Sequence, residues 1–276
     1  MDINIKKELS RFISEDIQSG DVTSVLLPKK KIKAKIISRE DGILAGVKFA
    51  REIFRLKGCH TRVTKKDGAK LKPNQVILEV SGNARMVLSC ERTSLNLLSR
   101  MSGIATHTNF LVSKIRKINK KTKLYSTRKT APGLRFFDKE AVKIGGGHKH
   151  RMSLDDMVMI KDNHLLVTDS IEGIIKNARK RHKHVEVEVE NQRNAILAAS
   201  SGATIVMLDN FSPVQIKKTI TALQKKKLRN KVELEASGGI NSKNIAAYAK
   251  TGVDMISVGS ITNSVSGLNL SLEVCV

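Results

Sequence analysis

The sequence predicts an α/β protein whose second part is a parallel (β/α) barrel. Three observations predict it. From about residue 108 onward, strand-like and helix-like segments alternate. Each strand-plus-helix unit takes roughly 20 to 30 residues, the repeat of a barrel. And most strand-like segments are followed at once by charged, polar or glycine residues.

The strand-like segments are KLYST, MVMI, HVEVEVE, TIVML, KVELEA and MISV. Between most of them lie helical stretches such as SIEGIIKNARKR, QRNAILAASSG, SPVQIKKTITALQKK and SKNIAAYAKTG. A barrel of about six to eight strands is expected. The first part, residues 1–107, differs in pattern, although no Pro-rich or Ser-rich linker separates it from 108–276. It opens with an amphipathic helix ending near Gly20, and GDVTS then offers Asp21 and Thr23 as turn or capping residues. KIKAKIIS alternates apolar and basic residues, as a half-buried strand does. RVTKKDG and QVILEVSG read as short strands joined by a turn at Asp67-Gly68. GVKFAREIFRLKG carries helical spacing. From Met86 to Ile118 apolar residues recur every three or four positions, and Ser102-Gly103 predicts two helices or a kink there.

At 276 residues the chain can bury a large core, and 40% hydrophobic with 28% charged residues places it among globular rather than disordered chains. No stretch approaches the ~18 apolar residues of a membrane span, and a cytoplasmic, non-membrane protein is expected. Cys59, Cys90 and Cys275 form no CxxC pair, which fits reduced thiols rather than zinc or disulfides. A formal net charge of +24 points to polyanions. Aromatics at 3% and no Trp argue against base stacking, so no nucleic-acid partner is expected and a small polyphosphate is favoured. Lysine runs such as Lys29 to Lys31 and Lys225 to Lys227 read as solvated surface.

In barrels the chemistry sits where strands end. KLYST is followed by Arg128 and Lys129, MVMI by Lys161, Asp162 and Asn163, and TIVML by Asp209 and Asn210. KVELEA leads into Ser237, Gly238 and Gly239, and MISV into Gly259 and Ser260. Helix capping explains some of the Asp, Asn and Ser residues but not the converging Lys and Arg, which indicate an anion site. In HVEVEVE, period 2 puts Glu186, Glu188 and Glu190 on one face. The valines opposite can pack under helices, so the glutamates are expected to point into the barrel. Buried carboxylates need cations, and Lys123, Lys129 and Lys161 are the candidates. An inner salt-bridge ring and a functional role are both open for Glu186 and Glu190, while Glu188 is read as functional. Gly145 to Gly147 followed by His148, Lys149, His150 and Arg151 offers close backbone approach and several donors. The SGG at 237–239 and the VGS at 258–260 form a candidate phosphate cup, although each alone is also an ordinary tight turn.

TRKTAPGLR (127–135), GGGHKHR (145–151), MVMIKDNH (157–164), VEVEVEN (185–191), MLDNF (207–211), EASGGI (235–240) and ISVGSIT (256–262) together resemble the quinolinate phosphoribosyltransferase family. The order and spacing of these motifs match as well. GDVTS, SREDGILAG and ERTSLNLLSRMSGIAT extend the resemblance over nearly the whole chain. It implies an N-terminal α/β sandwich-like domain, an incomplete (β/α) barrel, and a homodimer, or a higher oligomer, in which Arg92 crosses into the neighbouring site. It further implies quinolinate and phosphoribosyl pyrophosphate as substrates, with Mg²⁺. By this resemblance Arg92, Arg128, His150 and Arg151 hold the two quinolinate carboxylates, and Lys129 and Lys161 face the pyrophosphate. Glu188 and Asp209 take the ribose hydroxyls and the Mg²⁺ environment. Ser237, Gly238, Gly239, Gly259 and Ser260 take phosphate, and Thr127 and Val258 belong to the same substrate-binding set. Many members carry His where this chain has Asn263, which donates a hydrogen bond but no charge.

Overall fold

The computed structural model describes residues 3–168 and 170–275. They form two compact units. The first comprises the chain up to Asn109, Glu140–Gly146 and the stretch from Ser264 on; the second comprises Phe110–Lys139 and Gly147–Asn263. The break at 109/110 stands beside the 107/108 boundary read from sequence, a reading that also allowed C-terminal residues to pack back on the first part; Glu140–Gly146 is a further returning segment that the reading did not include. Among the described residues no helix is long and apolar enough to cross a membrane.

In the first unit the strands are β1 (Lys31–Ser38), β2 (Gly42–Ile43), β3 (His60–Val63), β4 (Lys70–Leu71) and β5 (Val76–Asn83), and its helices are α1 (Ile3–Ile17), α2 (Val47–Leu56) and α3 (Ala84–Ser89). Strands β1, β3 and β5 share an antiparallel sheet with β12 (Leu270–Cys275), in the order β12-β1-β5-β3. The alternation in KIKAKIIS is what orients β1: Ala34 and Ile36 are buried, whereas Lys31 and Lys33 stay exposed. Leu9, Ile13, Phe49, Ile53 and Phe54 complete the core from α1 and α2. Asp21 Oδ1 accepts from the backbone of Thr23 and Ser24, so GDVTS is a capped turn.

Helix α4 (Glu91–Arg116) runs unbroken through Ser102-Gly103, contrary to the kink expected there. The break lies more than three turns earlier, at Cys90, between α3 and α4. Both small residues serve packing instead. Ser102 Oγ bonds the backbone of Ala45, and a Cβ on Gly103 would stand 2.0 Å from the Ser266 carbonyl oxygen. Glycine inside a helix here permits close backbone approach and does not end the helix.

The second unit holds six parallel strands: β6 (Lys123–Tyr125), β7 (Val158–Ile160), β8 (Val185–Val189), β9 (Ile205–Asp209), β10 (Glu233–Ser237) and β11 (Met255–Ser257). Their order is β6-β11-β10-β9-β8-β7, all neighbours parallel. Helices α5 (Arg135–Ile144), α6 (Asp162–Leu165), α7 (Ile171–Arg179), α8 (Gln192–Ser200), α9 (Pro213–Lys225), α10 (Ile245–Ala249) and α11 (Ser260–Asn263) follow successive strands. Ser170, Asn191 and Ser212 cap α7, α8 and α9 with their side chains, which sets where these helices begin. The valines of β8 are buried, as a strand covered on both faces requires.

The result is an incomplete barrel. Its edge strands, β6 and β7, do not pair with each other. A strap, residues 148–151, spans them: His148 bridges Tyr125 of β6, and the Arg151 guanidinium donates to the Met157 carbonyl and to Met159 Sδ on β7.

Candidate active site

The inner side chains of the parallel strands fix what faces the barrel mouth. Register places Glu186 opposite Met159, and both Glu188 and Glu235 opposite Met207. Above this layer lies a cavity of about 380 Å³. Its lining includes Arg128, Lys129, Arg151, Lys161, Glu188 and Asp209, all read from the sequence as site residues. Thr127, His150 and Ser237 also line it.

Lys161, just after β7, donates to Glu188 Oε2 at 2.7 Å. That pair joins the ends of adjacent strands, and its partial exposure leaves both groups open to a ligand. Burial, followed by the charge of Glu188, raises the Asp209 carboxyl above its ordinary value, while Lys161 and Lys129 pull it down. Asn210 Nδ2 donates to Asp209 Oδ2 at 2.6 Å. Arg128 reaches the cavity with its Nε buried and without a hydrogen-bond partner. An unpaired buried guanidinium nitrogen is a group awaiting an anion.

Beneath the mouth, His150 Nε2 lies 3.3 Å from Glu186 Oε2 and 3.2 Å from Glu235 Oε2. The Arg151 backbone N–H donates to Nδ1 at 2.8 Å, which puts the ring proton on Nε2 between the carboxylates. Burial pulls the imidazole down and the adjacent Glu186 and Glu235 carboxylates push it up, while an accepting Nδ1 leaves the ring its single proton on Nε2. Burial pushes Glu186 up to about 7. With both carboxylates fully buried against one ring nitrogen, burial favours the protonated form of Glu186.

Two expectations about the inner glutamates are corrected. Glu190 lies beyond the end of β8 and is exposed, because the strand stops at Val189. Lys123 is exposed on β6, so the deepest carboxylate is met by His150 rather than by a lysine. Sequence reasoning missed Glu235, although period 2 in KVELEA puts it on the same face as Ser237, which the argument did use. It also missed Lys139 of α5, which is fully buried. Lys139 Nζ donates to the carbonyls of Lys149 and, at 2.7 Å, Arg151. Burial, with Arg135 nearby, lowers it to about 8.

Gly238, Gly239 and Gly259 flank the mouth without lining the cavity themselves. Gly238 and Gly239 have φ of 90° and 62°, and a Cβ on Gly238 would stand 2.2 Å from Asn210 Oδ1. Gly238→Ala is therefore expected to cost about 1–3 kcal/mol from backbone conformation alone, read as a lowered urea midpoint. Gly259 sits beside Lys129 and Thr127, where a Cβ would come within 3.1 Å of Lys129 Cδ. Thr262 Oγ1 donates to the Lys129 carbonyl at 2.8 Å, tying α11 to the 127–129 loop. Val258 is buried, Ser260 opens α11, and Asn263 is exposed at its end. Arg92 is exposed on α4 in the first unit and is not among the lining residues.

Fold and site together define a barrel enzyme for anionic substrates, with guanidinium, ammonium and carboxylate groups gathered at the ends of parallel strands. The chain matches the quinolinate phosphoribosyl transferase C-terminal domain over residues 104–273 and the N-terminal domain over residues 21–102. It belongs to that family. A probable nicotinate-nucleotide pyrophosphorylase [carboxylating] of Archaeoglobus fulgidus is 44% identical, over 92% of this chain and 98% of its own length. The nicotinate-nucleotide pyrophosphorylase [carboxylating] of Dictyostelium discoideum is 37% identical, over 98% and 95% respectively. The solved nicotinate-nucleotide pyrophosphorylase of Francisella tularensis superposes with a TM-score of 0.92 at 41% identity, covering 98% of this chain and 96% of that one.

Proposed function

We propose that this protein is a decarboxylating phosphoribosyltransferase of NAD biosynthesis. It converts quinolinate and phosphoribosyl pyrophosphate to nicotinate mononucleotide, pyrophosphate and CO₂. The observation that carries this reading is the convergence, in one cavity, of Arg128 and Arg151 with Lys129, Lys161, Glu188 and Asp209. Planar guanidinium forks suit the two ring carboxylates, whereas lysines act as point charges on phosphate oxygens.

As the C1–pyrophosphate bond breaks, positive charge develops on the ribose and negative charge on the leaving group. Lys129 and Lys161 stabilise the departing anion, and Glu188 and Asp209 face the ribose. The pyridine nitrogen forms the new bond to C1. The resulting pyridinium accepts the electron pair released when the 2-carboxylate leaves as CO₂, and C2 then takes up a proton. His150, with both ring nitrogens engaged, braces Arg151 at the dicarboxylate end. Ser237 to Gly239 and Gly259-Ser260 supply phosphate contacts at the mouth. Glu188 and Asp209 offer the hard oxygen donors that suit Mg²⁺ and its waters, and the raised Asp209 carboxyl fits a place where added positive charge is favourable. Bound there, the ion supplies charge neutralisation to the pyrophosphate oxygens.

The deciding experiment is to incubate purified protein with quinolinate, phosphoribosyl pyrophosphate and Mg²⁺. CO₂ and pyrophosphate should appear in equal amounts; no turnover overturns the reading. The proposal includes a homodimer in which Arg92 completes the partner's site, a role that its exposure permits. Arg92→Ala should then be inactive yet folded. Mixing it with inactive Lys129→Ala should restore roughly a quarter of wild-type activity, since half of randomly mixed dimers are hybrids with one intact site each. No complementation counts against a shared site.

A further inference from the structure

A fully buried lysine in a helix that contributes no cavity-lining group calls for an explanation. Lys139 belongs to α5, and its ammonium ends on the carbonyls of Lys149 and Arg151. Those carbonyls flank His150, so one side chain grips the strap on both sides of a single residue. That residue has a φ of 53°, in the left-handed region that residues other than glycine seldom occupy. Such a conformation persists only where its surroundings over-determine it.

Around this point the other restraints come from different directions. His150 Nε2 meets Glu186 and Glu235 from inside the barrel. Tyr125 stacks on the His148 ring at 4.9 Å and meets the His150 ring edge-on at 5.7 Å. Arg135, one helical turn before Lys139, donates to the Met152 carbonyl at 3.0 Å. Ser126 Oγ shares the Lys149 carbonyl at 2.9 Å, but of these groups only Lys139 also reaches the Arg151 carbonyl on the other side of His150. The Arg151 side chain leaves the strap between the two gripped carbonyls, from the Cα just before the second, and lines the cavity.

We propose that Lys139 is a positioning residue that sets the dicarboxylate-binding wall from beneath, holding His150 in its left-handed conformation and thereby aiming the Arg151 guanidinium into the cavity. This deepens the phosphoribosyltransferase reading and rests on it. Without the ammonium, residue 150 relaxes toward the ordinary right-handed or extended regions, and Arg151 swings with it. Lys161 directly follows β7, Glu188 and Asp209 stand on β8 and β9, and all three keep their places. The damage should therefore fall on one substrate and spare the other.

The test compares Lys139→Met, which fills the volume without donors, with Lys139→Gln, which keeps two N–H donors on a shorter chain. Steady-state kinetics are measured with each substrate varied in turn, beside wild type. Lys139→Met should raise KM for quinolinate at least tenfold while leaving KM for phosphoribosyl pyrophosphate within about twofold; Lys139→Gln should fall between Met and wild type. If the Met variant does not fold, a rise in quinolinate KM alone in the Gln variant supports the proposal. An unchanged quinolinate KM in a folded variant, or equal rises in both KM values, overturns it. Absence of turnover in wild type would defeat the functional reading instead, so the two failures are distinct.

Discussion

Lys161→Ala is expected to lower kcat/KM by about 10²- to 10³-fold, with most of the loss in kcat and little change in melting temperature. In the proposed reaction the ammonium is one of two at the end where pyrophosphate departs, so removing it would take away charge where charge develops. Its bond to Glu188 is only half-shielded from water, so the fold loses little when it goes. The measurement is steady-state turnover beside a thermal melt. A loss below tenfold would remove Lys161 from the transition state, and a large drop in melting temperature would make it a structural residue.

Arg151→Ala should act differently. Its guanidinium is held on one side by Met157 and Met159 and presents the other to the cavity. Truncation leaves a ligand carboxylate without its fork, which costs roughly 2–5 kcal/mol for a buried charge pair, or about 10²-fold or more in quinolinate KM. Arg151→Lys should recover only part of this, because an ammonium cannot form two parallel bonds to one carboxylate. Full recovery by lysine would mean that charge alone matters there. The pattern for Arg151 and for Lys139 should be the same in kind, a selective weakening of dicarboxylate binding, and smaller for Lys139.

Much of this arrangement is legible in the chain. The parallel strands stand out as short apolar runs such as MVMI and TIVML or as apolar–glutamate alternations in HVEVEVE and KVELEA, with polar residues at or just past their ends. Arg128, Lys161 and Asp209 follow from that rule alone. Arg92 does not, since it lies on a helix of the other unit and enters only through family resemblance. Glu190 was misplaced because periodicity states which face a residue takes but not where its strand stops. Lys139 was invisible for a related reason: in RFFDKEAVKI a lysine looks like solvent-facing charge, and only the path of a distant segment reveals that its end is buried. The strap was equally hidden. GGGHKHR has no strand period, and its place between β6 and β7 depends on contacts made on both sides at once.

The pairing of β12 with β1 bears on how the molecule is made. Ser271 of β12 bonds Arg39, at the end of β1, across 232 residues of chain. During synthesis all six parallel strands emerge before β12 does, so one edge of β1 stays bare while they form. An uncovered edge can recruit the wrong strand, from the same nascent chain or another. Assembly of the first unit is thus tied to the arrival of a late segment, and its half-built sheet is the species a chaperone would meet.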